Sequence, residues 1–111
     1  MFVKDLNIGY LLDFYGELLT GRKRSVMDMY YNEDFSLSEI AEQIGISRQG
    51  VRDIIKKSED ELLFYEDKLG LAKRLSAAEA EADELCRLAD SSSVPKEITA
   101  KIHKLAELIR Q

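Results

Sequence analysis

The sequence predicts an all-α fold, and three observations carry that prediction. Apolar residues recur at steps of three and four along most of the chain, the spacing that lines one face of a helix. No window shows the sustained apolar–polar alternation of a half-buried strand. Pro95 is the single proline among 111 residues, so only there does a missing N–H forbid a helix interior. With 45% hydrophobic residues, the chain is long enough for one core and too short for two of ordinary size.

The first helix is expected after Asn7 as N-cap, with Ile8, Leu11, Leu12, Tyr15, Leu18 and Leu19 on its apolar face. Gly16 weakens this helix without being expected to break it. A second helix starts at Thr20, carries Val26, Met27, Tyr30 and Tyr31 as its apolar residues, and stops before Asn32-Glu33-Asp34. The third and fourth occupy SLSEIAEQIGISRQGVRDIIKK, Ser36 to Lys57. Beyond Val51 the run Ile55, Ser58, Leu62, Tyr65, Leu69 alternates steps of three and four, a heptad-like seam interrupted only by Ser58, so the fourth helix extends past the motif.

After Gly70 a similar run, Leu71, Leu75, Ala78, Ala82, Leu85, Ala89, is out of phase with the first, which makes Gly70 a helix end or a bend. Asp90-Ser91-Ser92-Ser93-Val94-Pro95 reads as a connector, and Ile98, Ile102, Leu105 and Ile109 mark a last helix that folds back on its predecessor. Residues 1–69 thus form a helix-turn-helix domain, and 70–111 a helical hairpin belonging to the same single domain. Two amphipathic helices cannot hide both apolar stripes by themselves. The hairpin is expected to pack on the N-terminal core or on a second copy, and the homodimer is the preferred reading.

Charge limits the partners. The net charge is −5 and the pI about 4.9, which excludes coating nucleic acid by bulk electrostatics, because that needs many cations to neutralise phosphates. Residues 58–111 carry 12 Asp/Glu against 8 Lys/Arg, so any nucleic-acid contact is local to the first half. Cys86 is the single cysteine; it offers no internal disulfide and no thiol cluster for zinc or redox work, as expected in a reducing compartment. Asp5, Asn7 and Asp13 interrupt the apolar N-terminus, unlike a signal peptide. No stretch approaches the roughly 20 apolar residues of a membrane span. The chain reads as cytoplasmic.

The Ser36–Lys57 stretch meets the separate physical demands of a helix-turn-helix. Ser36 and Glu39 stand at capping-box spacing. Ile40, Ala41 and Ile44 form the buried face, and Ala41 is small where the second helix crosses. Gly45 sits at the turn, where positive φ is expected, with Ile46 tucked beneath it. Ser47 caps the second helix, which buries Val51, Ile54 and Ile55. In such a motif the start of the second helix enters the major groove, placing Arg48, Gln49 and Arg52 at base edges and Lys56 and Lys57 near phosphates. Arginine bonds guanine bidentately and glutamine bonds adenine. Arg22, Lys23 and Arg24 form a second basic cluster that opposes its own helix dipole, which favours an anionic partner.

Enzymatic readings find no support. His103 has no second histidine or cysteine nearby and reads as a surface residue. No glycine-rich phosphate loop, nucleophile elbow or metal-ligand spacing occurs, so no catalytic residue, metal or cofactor is expected. The runs Glu59-Asp60-Glu61 and Glu79, Glu81, Asp83, Glu84 read as solvated faces, and the aromatic residues as packing.

From Leu19 to Leu62 the chain resembles region four of bacterial sigma factors, in which a helix and a helix-turn-helix read the promoter −35 element. The chain as a whole, including MFVKDLNIGYLLDFYGELLTGRKR, is similar to the YlxM family of small stand-alone helix-turn-helix proteins. That resemblance implies a regulatory or accessory role in the signal recognition particle pathway, with DNA, the particle's RNA or its GTPase as partner. Where sigma region four carries Arg-Glu-Arg-Val-Arg-Gln, this chain has Arg48-Gln49-Gly50-Val51-Arg52-Asp53. Gly50 removes an arginine contact and Asp53 repels phosphate, which argues against promoter reading. Two other readings stay open: a sequence-specific transcriptional regulator, and a protein-interaction module that does not bind nucleic acid.

Overall fold

The computed structural model describes residues 4–110, and every element among them is helical. Helix α1 (Leu6–Tyr15) leads through a 3-10 turn (Gly16–Leu18) to α2 (Gly21–Met27), which runs into a π turn (Asp28–Asn32). Then come α3 (Leu37–Ile44), α4 (Arg48–Leu69), α5 (Leu71–Asp90) and α6 (Lys96–Arg110). The chain divides into two compact units, one ending at Gly70 and the other beginning at Leu71. Gly45 and Gly70 both stand at positive φ, 73° and 62°, the left-handed backbone that closes a helix C-terminus and that glycine adopts without a Cβ clash.

In the first unit α1, α2 and α3 all pack on α4. The core consists of Ile8, Leu11, Leu12 and Tyr15 from α1, Val26 and Met27 from α2, Ile40 and Ala41 from α3, and Val51, Ile55 and Leu62 from α4. Ser58 does not interrupt the seam. It is fully buried, and its hydroxyl donates to the Ile54 carbonyl at 2.7 Å, one turn back on its own helix. That carbonyl is an acceptor within the helix in any case, so the hydroxyl leaves no distant partner behind. Ser58→Ala is therefore expected to change stability by less than about 0.5 kcal/mol, whereas Ser58→Leu overfills the seam and costs about 1–3 kcal/mol. Urea midpoints of the two variants check both values.

The start of the chain departs from the expected pattern at three places. Asp5, not Asn7, caps α1, its carboxylate accepting from the Asn7 N–H at 2.9 Å; an anion suits the positive helix end better than an amide. At Gly16 the α-helix does give way. A Cβ there would lie 3.2 Å from Leu12 Cδ1 and 3.1 Å from the Arg24 guanidinium, so the glycine lets the Arg24 side chain lie close over the turn. The changed register leaves Leu18 51% exposed while Leu19 is buried. At the far end of α2 the backbone widens into the π turn, with Glu33 N–H donating to the Asp28 carbonyl at 2.9 Å. Tyr30 is buried in that turn, and Tyr31 follows it.

The second unit is an antiparallel hairpin of α5 and α6. Asp90 pairs with His103 and Asp83 with Arg110, and the opposite order of the partners along the chain gives the direction. Ala82, Ala89 and Ala106 are buried, small residues where two helices approach closely. Residues 91–95 form the connector, and the Pro95 carbonyl accepts from the Ile98 and Thr99 N–H groups at the start of α6. His103 Nε2 lies 2.9 Å from the Asp90 carboxylate on an exposed surface.

Candidate nucleic-acid interface

Local chemistry builds the α3–turn–α4 unit. Ser36 Oγ accepts from the Glu39 N–H at 3.0 Å, and Glu39 Oε1 accepts from the Ser36 N–H at 2.9 Å. This reciprocal box satisfies two of the free amides at the helix start. The bond from the Ser36 backbone N–H, followed by that from its side chain, holds the Glu39 carboxyl below the usual carboxylate range. At the other end of α3 the Gly45 and Ile46 N–H groups both donate to the Ala41 carbonyl, at 2.9 and 3.1 Å. The chain turns there, and Ser47 Oγ accepts from the Gly50 N–H at 3.0 Å to cap α4. Val51 and Ile55 are fully buried, which fixes the face of α4 turned to solvent.

Arg48, Arg52 and Lys56 stand one turn apart along α4, all exposed. Among the described residues Arg48, Arg52 and Lys57 have no ion-pair partner, while Lys56 Nζ lies 3.5 Å from Asp60. Gln49 is engaged: its amide donates to Asp53 Oδ1 at 3.0 Å. Asp53 is thus both an anion on the basic surface and a brake on Gln49. Gly50 needs a different account from the one its sequence position suggests. A Cβ there would lie 3.2 Å from Ile46 Cδ1 and 3.3 Å from Ser47 Oγ. Position 50 therefore faces the turn, and its glycine makes room for Ile46.

The basic cluster on α2 divides. Arg22 is exposed and unpaired among the described residues. Lys23 Nζ lies 3.1 Å from Glu61 Oε2, an oxygen with no hydrogen bond, and so joins α2 to α4 as an ion pair. Arg24 Nε donates to Asp28 at 3.0 Å along its own helix. Two of these three cations are thus already paired, and the Lys23 pair joins two helices. The same contacts correct the reading of Glu59-Asp60-Glu61 as a solvated face. Glu61 faces Lys23, and Glu59 accepts from the Tyr31 hydroxyl at 2.7 Å. Burial, then the bond to Glu59, pushes the Tyr31 phenol well above its ordinary pKa, so it remains a donor. Nearer the end of α4, Tyr15 donates to Glu66 at 2.5 Å. Nothing in the local sequence signals these pairs, because each partner comes from another helix.

Phe64 departs from the expectation that the aromatics pack inside: it is 57% exposed, with Lys68 Nζ 5.7 Å above its ring. Among the described residues no group of three His, Cys, Asp or Glu is placed to hold a metal ion. No helix among them is long and apolar enough to cross a membrane.

Comparison with known proteins places this arrangement. The family model UPF0122, described as "Putative helix-turn-helix protein, YlxM / p13 like", matches residues 2–105. The UPF0122 protein YlxM of Bacillus subtilis (strain 168) is 45% identical over 105 residues, covering 95% of this chain and 96% of that one. A UPF0122 protein of Halalkalibacterium halodurans is 40% identical over 108 residues, 97% and 99% of the two chains. One from Clostridium kluyveri is 56% identical over a shorter stretch of 66 residues, 60% of each chain.

Proposed function

The chain belongs to the YlxM/p13-like helix-turn-helix family UPF0122, and from that premise we propose that it is a cytoplasmic regulatory or accessory protein of the signal recognition particle pathway. It performs no catalysis, acts as a homodimer, and contacts nucleic acid through the first half of α4 on a scaffold like sigma region four. The observation that carries the nucleic-acid contact is the exposed pair Arg48 and Arg52, one turn apart and without ion-pair partners among the described residues. Exposed unpaired guanidinium groups at the start of the second helix of this motif stand where bases and phosphates are met. The pathway assignment rests on the family resemblance, which favours the particle's RNA over a promoter.

The test is a salt titration of the purified full chain against the particle's RNA and against duplex DNA. With Arg48, Arg52, Lys57 and Arg22 as contacts, log affinity for RNA falls with log salt at a slope of roughly −3, and RNA binds more tightly than DNA. No binding to either at low salt, with retention of the particle's GTPase alone, overturns the nucleic-acid contact and leaves a protein-interaction module.

A further inference from the structure

The two faces of the α5–α6 hairpin differ. One carries the Asp83–Arg110 ion pair and the Asp90–His103 contact. The other exposes Leu85, Leu88, Ile98 and Leu105 by 42–52% each. Leu85, Leu88, Leu105 and Ile109 line one hollow there, a contiguous apolar surface of the kind that small soluble proteins bury against a partner.

The charges along its two edges are opposite. Glu81 and Glu84 of α5 stand beside Leu85 and Leu88, and Lys101 and Lys104 of α6, together with Glu97, stand beside Ile98 and Leu105. From residue 75 to its end α5 carries five acids and one base, whereas α6 carries four Lys/Arg and two acids. Glu84 already meets Arg87 at 2.5 Å on the same helix, an exposed pair that exchanges at little cost. An interface between identical copies must be complementary to itself. With a two-fold axis along the hairpin, α5 of each copy lies over α6 of the other, and the acidic edge meets the basic edge twice. With the axis across the hairpin, acid lies over acid and base over base, so the charges reject that arrangement.

We propose that this face is the interface with a second copy of the chain, forming a four-helix bundle in which α5 pairs with the partner's α6. The proposal rests on the homodimer named above and identifies the surface that makes it. Sedimentation of the full chain at micromolar concentration, with circular dichroism to confirm helicity, tests it. Wild type sediments as a dimer. The variants E81K/E84K and K101E/K104E each dissociate, with self-association weakened roughly 100-fold, and an equimolar mixture of the two restores the dimer mass. Leu105→Ser, which keeps every charge, also dissociates the dimer. A monomeric wild type overturns dimerisation itself. A dimeric wild type whose charge variants and Leu105→Ser all remain dimeric, or whose charge variants dissociate without re-forming a dimer on mixing, overturns this surface and leaves dimerisation standing. Neither result touches the nucleic-acid contact, which the salt titration reads independently.

Discussion

Leu62→Ala is expected to destabilise the first unit by about 2–5 kcal/mol. Leu62 is fully buried on α4, the helix against which α1, α2 and α3 all pack, so no single neighbour can close the space left behind. Its sequence neighbour supplies the control. Leu63 is 45% exposed, and Leu63→Ala should stay within about 0.5 kcal/mol of wild type. A domain holds only about 5–15 kcal/mol in total, so the core variant forfeits much of that margin. In urea the Leu62→Ala midpoint falls while the slope is unchanged, because the surface exposed on unfolding is nearly the same. A cost below about 1 kcal/mol would show that α4 is not the shared core element.

The contrast between Leu62 and Leu63 was legible in the sequence, because the seam from Val51 to Leu62 follows from helical period alone. So was the helix-turn-helix, whose caps and turn are made by residues within five positions of one another. The exposure of Arg48 was not, because it stands three residues before buried Val51, on the same side of the helix, and faces solvent as the first residue of α4. Residue type misled at Ser58, where a polar side chain occupies a core position because its hydroxyl bonds its own helix. Other features were not legible because their causes lie elsewhere in the chain. Gly16 is explained by the approach of Arg24. Glu59 and Glu61 look like surface acids until Tyr31 and Lys23 arrive from the segment before α3. The π turn has no periodic signature, since one widened turn lies within the scatter of a helical pattern.

Arg48→Ala and Arg52→Ala are each expected to weaken nucleic-acid binding by about 1–3 kcal/mol without a matching loss of stability. Both side chains are exposed, so truncation strands no buried partner, and urea midpoints should stay near wild type. Lys23→Ala should do the reverse. Its ammonium holds Glu61 at 3.1 Å, so the cost appears in stability and binding changes little. Asp53 gives a prediction of opposite sign: Asp53→Asn removes an anion from the basic face while preserving an acceptor for Gln49. Affinity should rise, by about 3- to 10-fold for one repulsion at surface dielectric, and the salt dependence should steepen. Loss of binding in the arginine variants together with a gain in Asp53→Asn requires that phosphate lie against this face of α4. If Lys23→Ala abolishes binding while Arg48→Ala leaves it intact, the contact surface lies on α2.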